Sequence, residues 1–215
     1  MIRTIALIAV AGATPVAAQQ APAPAPAPAP VPAAPTLAAP KPATVTVILT
    51  TGEGPITLEL ERDRAPITTA NFLHYVDTKR LDGIKFYRAM NLAPGVGLIQ
   101  GGVRDGTKLF PPIKLEPTTT TGLAHVDGTI SMARAAPDSA RADFFIIVGA
   151  MPSLDAQPGQ PGDNRGFAAF GHVVAGMDVV RRILVAPTSP TEGEGAMKGQ
   201  MLAPQIAILS ARRAR

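Results

Sequence analysis

Short apolar runs alternate with turn residues along most of this chain, a pattern that is typical of a β-rich domain. Residues 45–50 are rich in β-branched side chains and predict a strand. Residues 51–55 supply turn chemistry. Residues 56–61 then alternate strictly between apolar and polar positions, which predicts a half-buried strand with Ile56, Leu58 and Leu60 facing inward. Together the two segments predict a β-hairpin.

Two segments carry helical spacing instead. Pro66 suits the first turn of a helix, which we expect to end near residues 79–80. The apolar positions after it recur every three residues and predict a buried stripe of Ile67, Ala70, Leu73 and Val76. A second, shorter helix is predicted over residues 177–184, directly after Gly176.

The remaining apolar runs are short and are separated by glycine and proline. They cover residues 85–88, 98–100, 129–133, 144–148, 168–174 and 205–210. Many short strands with two helices favour a mainly β fold, a closed antiparallel barrel capped by helices.

The first 18 residues are typical of a secretory signal peptide. Arg3 provides the positive charge, residues 5–11 the apolar run, and residues 16–18 a cleavage site of small side chains. The apolar run is too short to cross a membrane, since a spanning helix needs about 20 apolar residues. We therefore predict export to the periplasm, with cleavage before Gln19.

Residues 19–43 form an Ala/Pro-rich linker that contains nine of the 23 prolines. Proline restricts φ and removes a backbone donor, so we expect an extended, semi-rigid segment. It could be a spacer, a solvated tail, or a ligand for a proline-binding module, and the sequence leaves these alternatives open. The folded domain is predicted over residues 44–215.

Composition excludes several kinds of chemistry. The absence of cysteine rules out disulfides and thiolate metal sites. The net charge of +4 includes a C-terminal group, Arg212, Arg213 and Arg215, that we expect to be a frayed, solvated tail. No basic stripe is interleaved with aromatic residues, so we expect no nucleic-acid partner. The three histidines show no metal-ligand spacing and give little support for a Ser-His-Asp triad, and we expect neither a metal nor a cofactor.

Five short motifs follow one another through the predicted domain. They are Phe86-Tyr87-Arg88, Leu98-Ile99-Gln100-Gly101-Gly102, Ser131-Met132-Ala133-Arg134, Asp143-Phe144-Phe145-Ile146 and Phe167-Ala168-Ala169-Phe170-Gly171. Their order and spacing resemble the cyclophilins, which are peptidyl-prolyl cis/trans isomerases. The resemblance extends from about residue 44 to the C-terminus, and Arg134 resembles the bacterial periplasmic members. It implies an eight-stranded barrel with a helix over each end.

The resemblance also implies roles for individual residues. Arg88 matches the catalytic arginine, and Gln100 the glutamine that contacts the substrate backbone. The walls and floor of the proline pocket would be Leu98, Phe145 and Leu154. Further substrate contacts are implied at Ala133, Arg134, Asp143 and Phe167.

Three positions depart from the family pattern. Gly97 replaces a pocket phenylalanine. The connection before it, over residues 89–96, is longer than usual, and a residue of that connection could fill the gap. Phe167 replaces a histidine or tyrosine. Asp143 replaces a glutamine that orients the arginine, and we predict that its carboxylate pairs with Arg88 and lowers turnover.

Prolyl isomerisation breaks no bond and needs no cofactor. The X-Pro amide has a rotation barrier of about 18–20 kcal/mol and exchanges over tens to hundreds of seconds. A fixed guanidinium can donate to the imide nitrogen as conjugation is lost, while an apolar socket holds the ring. We predict a monomeric isomerase that assists the folding of exported, proline-containing polypeptides. The alternative is a catalytically weak or inactive peptide-binding or chaperone module of the cell envelope.

Overall fold

Nine strands and three helices make up residues 43–214, the part of the chain that the computed structural model describes. The predicted signal peptide and all of the predicted linker except Ala43 lie outside these residues. The strands are β1 Thr44–Thr51, β2 Gly54–Glu61, β3 Lys85–Ala93, β4 Val96–Gly102, β5 Thr129–Met132, β6 Phe144–Val148, β7 Ala168–Ala175, β8 Thr188–Ser189 and β9 Met201–Arg213. The helices are α1 Pro66–Asp77, α2 Thr118–Thr121 and α3 Met177–Leu184.

Eight of the strands close into an antiparallel barrel. Their order is β1-β2-β7-β5-β6-β4-β3-β9, and β1 pairs with β9 to complete the ring. The two-residue strand β8 pairs with β9 outside it. The predicted closed eight-stranded barrel is therefore confirmed. The prediction of two helices omitted α2, a single turn.

The first hairpin and the last helix match their predictions. β1 and β2 pair antiparallel, and Ile56, Leu58 and Leu60 are fully buried on β2. Helix α3 has the predicted bounds and buries Val180 and Leu184. α1, α3 and the inward-facing strand residues contribute to one core cluster, because alternate strand residues point to opposite faces.

The predicted buried stripe of α1 is partly wrong. Ile67 is 43% exposed and Ala70 is also exposed, whereas the helix buries Phe72, Leu73, Tyr75 and Val76. The first turn is held by the carboxylate of Glu116, which accepts hydrogen bonds from the backbone N–H groups of Ile67 (3.0 Å) and Thr68 (2.8 Å). This contact from outside the helix satisfies N-terminal N–H donors that have no partner within the helix. The buried face of α1 is turned away from Ile67 compared with the predicted stripe.

Arg212 and Arg213 are not part of a frayed tail as predicted, and Arg215 lies outside the described residues. β9 continues to Arg213, and Arg212 forms a two-pronged ion pair with Asp82 at 2.7 and 2.8 Å. Arg213 pairs in the same way with Asp77 of α1 at 2.8 and 2.6 Å. None of the helices within residues 43–214 has the length and apolarity that crossing a membrane requires.

Candidate active site

A row of side chains crosses four neighbouring strands on the outer face of the barrel. Arg88 on β3 lies opposite Gln100 on β4, Gln100 lies opposite Phe145 on β6, and Phe145 lies opposite Ser131 on β5. Residues directly opposite one another share a face of the sheet. One strand therefore separates the arginine from the phenylalanine, a spacing of about 10 Å between strand axes.

Two glutamine side chains hold the guanidinium of Arg88. Gln200 Oε1 accepts from Nε at 2.9 Å and from Nη2 at 2.7 Å, and Gln100 Oε1 accepts from Nη1 at 2.9 Å. Nη2 also lies 3.4 Å from the sulfur of Met90. Burial lowers the pKa of Arg88, yet a guanidinium remains charged at neutral pH. The site thus contains a half-buried cation in a defined orientation.

A chain of hydrogen bonds runs from Gln100 away from Arg88. Gln100 Nε2 donates to Tyr87 Oη at 2.7 Å, and Tyr87 Oη donates to Asp143 Oδ2 at 3.1 Å. Tyr87 occupies a bulge in β3, because Phe86 and Arg88 pair with adjacent residues of β4. A bulge changes the direction of a side chain, which lets Tyr87 reach this network.

The predicted ion pair between Asp143 and Arg88 is wrong. Asp143 contacts Tyr87 instead, and its carboxylate lies 3.9 Å from Arg104. It occupies the space above Gly102, where an added Cβ would lie 1.8 Å from Asp143 Oδ1. Burial raises the pKa of Asp143, and burial together with this carboxylate raises the pKa of Tyr87. Tyr87 and Gln100 therefore connect Asp143 to Arg88 by hydrogen bonds.

An apolar socket, separate from the barrel core, lies on the other side of Gln100. Its buried members are Leu98, Phe145, Ile147 and Met151, and its partly buried members are Met90, Val96, Ala133, Leu154 and Phe167. The rings of Phe145 and Phe167 meet edge to face, with centroids 5.5 Å apart. Phe144 belongs to the barrel core instead, as strand alternation requires.

The missing family phenylalanine is explained by the β3–β4 hairpin. A Cβ at Gly97 would lie 2.1 Å from the carbonyl oxygen of Met90, so this close approach of the two strands needs glycine. The longer connection forms paired strands up to the turn, and Met90 and Val96 from it pack in the socket. Sequence reasoning missed both residues, together with Ile147 and Met151. Ile147 could have been found, since it follows Phe145 by two positions on the same face.

A Ser-His-Asp arrangement, which the three histidines supported only weakly at the level of sequence, lies beneath the socket. His125 Nδ1 is 2.6 Å from Asp155 Oδ1, and His125 Nε2 is 3.0 Å from Ser131 Oγ. Ser131 is fully buried, so its hydroxyl cannot reach a substrate carbonyl. Burial lowers the pKa of His125. Its ring stacks 6.1 Å from that of Phe145, so the three residues support the socket floor.

Arg134 and Ala133 border the socket, but the Arg134 side chain and the Ala133 backbone N–H are already engaged. The Arg134 guanidinium forms a bidentate pair with Asp163 and donates from Nε to the carbonyl of Gly166 at 2.8 Å. Its central carbon lies 5.1 Å from the centre of the Phe167 ring. Only 5% of the Arg134 side chain is exposed. The backbone N–H of Ala133 donates to the carbonyl of Asp143 at 2.8 Å.

A groove of about 700 Å³ continues from Gln100 away from the socket. Its lining includes Tyr87, Ala133, Asp143, Glu194 and Met201. Socket, arginine and groove together can hold an extended peptide, with an apolar ring on one side of Gln100 and the preceding residues on the other. Within residues 43–214 no three histidine or acidic side chains are grouped in a way that could hold a metal ion.

A closed eight-stranded barrel with an arginine beside an apolar socket on its outer face is the arrangement expected of a cyclophilin-like prolyl isomerase. The family model of cyclophilin-type peptidyl-prolyl cis-trans isomerases matches residues 46–211. The chain belongs to this family, and its activity is peptidyl-prolyl cis/trans isomerisation.

Relatives agree with this assignment, and a solved structure agrees with the fold. The chain is 38% identical over 145 residues to a peptidyl-prolyl cis-trans isomerase of Acinetobacter baylyi, covering 66% of this chain and 72% of the relative. It is 40% identical over 139 residues to peptidyl-prolyl cis-trans isomerase A of Dickeya dadantii, covering 63% and 68%. A cyclophilin-type isomerase of Cryptosporidium parvum, crystallised in the presence of the dipeptide Ala-Pro, superimposes with a TM-score of 0.63 at 20% identity. That superposition covers 79% of this chain and 99% of the other.

Proposed function

We propose that Arg88 is the catalytic residue, and that the socket around Phe145 holds the substrate proline. The observation that carries the proposal is the row Arg88–Gln100–Phe145, which sets a fixed cation and an apolar pocket on one face with a single strand between them. A proline ring resting on Phe145 would bring its imide nitrogen towards the guanidinium.

The donor arrangement of Arg88 suits this role. Within residues 43–214, its hydrogen bonds to Gln200, Gln100 and Met90 use Nε–H, one Nη1–H and both Nη2–H groups. A guanidinium has five N–H donors, which leaves the second Nη1–H for the substrate. As the X-Pro bond twists, the imide nitrogen gains a lone pair that this hydrogen can stabilise. Each 1.4 kcal/mol of such stabilisation gives about tenfold in rate.

Arg88→Ala tests the catalytic role. We expect isomerisation of an X-Pro peptide, measured by protease coupling or NMR exchange, to collapse while peptide binding persists, because the socket is unchanged. Arg62→Ala, which removes an arginine with a 59% exposed side chain outside the row, is the matched control. A wild-type rate in Arg88→Ala would reject the role. Peptide binding by the wild type without turnover would favour the binding-module alternative.

We further propose that the enzyme acts in the periplasm on unfolded, exported polypeptides that contain proline. Support comes from the signal-like residues 1–18 and from a groove that continues beyond the socket and could accommodate flanking residues. Fractionation of cells that produce the full chain, with N-terminal sequencing, tests this location. A mature chain that begins at Gln19 in the periplasmic fraction is expected, and an uncleaved cytoplasmic protein would contradict it. We expect a monomer, which light scattering would check.

A further inference from the structure

Gln200 contacts Arg88 from a part of the chain that none of the five motifs includes. It lies 112 residues after Arg88, immediately before β9 and after a 3-10 turn at Gly195–Met197. Its Oε1 accepts two hydrogen bonds from the guanidinium, at 2.9 Å from Nε and 2.7 Å from Nη2. Gln100, the glutamine of the family motif, accepts only one.

Gln200 is itself held rigidly. Its side-chain Nε2 donates to the carbonyl of Ala196 at 2.8 Å, which aims Oε1 at Arg88. Its backbone N–H donates to Met197 at 3.0 Å, and its carbonyl accepts from Ala89 of β3 at 2.9 Å. The side-chain amide of Gln200 is therefore fixed by the turn, and its backbone is fixed by the strand that carries Arg88.

The two glutamines together define the plane of the guanidinium. Gln100 binds the Nη1 edge and Gln200 the Nε/Nη2 edge, so rotation about the last side-chain bonds of Arg88 would break a hydrogen bond on one side. Arginine has a long side chain with many rotamers, and fixing it in advance lowers the cost of aligning it with the twisting bond. Without Gln200, the acceptors left to orient the donor among the described residues would be Gln100 and the weak acceptor Met90.

We propose that Gln200 is a positioning residue that aims the Arg88 guanidinium at the substrate imide. The inference rests on the catalytic role of Arg88 proposed above. It assigns the turn before β9 a part in the reaction, since this turn orients Gln200 and also contributes Glu194 and Met197 to the lining of the groove.

Gln200→Leu tests the proposal by removing the acceptor while keeping a side chain of similar reach. We expect the exchange rate at saturating peptide to fall about tenfold, with peptide affinity within about twofold of wild type. The ¹⁵N–¹H resonance of Arg88 Nε, identified by its loss in Arg88→Lys, should shift, since its acceptor is gone. Gln205→Leu, which changes an exposed glutamine in β9 five residues after Gln200, is the matched control and should change neither quantity.

Gln200→Glu keeps an acceptor oxygen at the same distance along the side chain and should recover part of the lost rate. A Gln200→Leu rate equal to that of Gln205→Leu, or an unmoved Arg88 resonance, would overturn the proposal. So would a Gln200→Glu rate no higher than that of Gln200→Leu. If Arg88→Ala kept the wild-type rate, the catalytic assignment would fail first, and the Nε resonance would then report separately whether Gln200 holds Arg88.

Discussion

Tyr87→Phe tests the contribution of the hydrogen-bond network independently of the apolar parts of the site. The phenol accepts from Gln100 Nε2 at 2.7 Å and donates to Asp143 at 3.1 Å, and the substitution removes both bonds while keeping the ring. The ring also supports Arg104, whose guanidinium lies 4.8 Å from its centre. The change therefore tests whether the relay, the chain of hydrogen bonds from Asp143 through Tyr87 and Gln100 to Arg88, contributes to stability and to turnover.

The expected loss of stability is about 2 kcal/mol. Gln100 is 8% exposed, so its Nε2 donor would be left largely unsatisfied, which costs about 1–3 kcal/mol. The bond to Asp143 is long for an O–H···O contact, and the aspartate side chain is 32% exposed. Water can replace the phenol there, so this bond adds little. A loss of this size lowers the melting temperature by about 4–8 °C in a domain of this length.

The assay combines chemical denaturation with isomerisation of an X-Pro peptide. We expect kcat/KM of Tyr87→Phe to fall about threefold to tenfold, because the Gln100 amide can then rotate and Arg88 loses one of its two strong acceptors. Tyr75→Phe is the matched control, since Tyr75 is 1% exposed and its hydroxyl accepts from the backbone N–H of Phe110 at 2.8 Å, inside the fold. It should lose similar stability and no activity. Equal kcat/KM values for the two variants would refute the relay, and a stability loss below about 0.5 kcal/mol would refute the burial argument.

Three further outcomes are expected. Asp143→Asn should leave turnover within about twofold, because the carboxylate does not contact Arg88, the proposed catalytic residue. It should not lower stability, because burial already disfavours the charged form of Asp143. A large rise in turnover would contradict this expectation. Arg134→Ala should weaken peptide binding with little effect on the rate at saturating peptide. The substitution frees Asp163 and uncovers the Phe167 wall of the socket. An unchanged peptide affinity in a titration would contradict this expectation. Burial lowers the pKa of His125 from its ordinary value of 6.5, so the unfolded state takes up the proton first. Stability from this group is complete above pH 6.5 and falls as the pH drops towards the folded-state pKa. Denaturation between pH 7.5 and 5.5 should show this slope in wild type and a smaller one in His125→Gln, and equal slopes would contradict it.

Local sequence patterns predicted those parts of the fold that depend on neighbouring residues in the chain. Strict alternation predicted the inward face of β2, and helical spacing after a glycine predicted the bounds of α3. The exposure of Ile67 on α1 was not predicted, and the first turn there is bound by Glu116, which lies 49 residues away. No window of the sequence contains both partners of that contact.

Contacts between residues distant in sequence also limited what could be predicted about the site. The residues of the row, Arg88, Gln100 and Phe145, could be predicted because the motifs that contain them resemble those of the cyclophilins, and the structure places each of them in a strand. Gln200 and the bond between His125 and Asp155 could not, because the partners come from distant loops that only the closed barrel brings together. Asp143 was expected on Arg88 because its charge suggested a pair, whereas the bulge at Tyr87 supplies a nearer donor.

The departures from the family pattern compensate for one another, which favours an enzyme over an inactive binding module. Tyr87 and Asp143 satisfy each other and leave the Oε1 of Gln100 for Arg88. Gly97 permits the close hairpin from which Met90 enters the socket. Orienting a long cationic side chain costs conformational entropy, and the two amides that hold Arg88 meet this cost before substrate arrives. A donor fixed in one direction is what stabilisation of the twisting imide nitrogen requires.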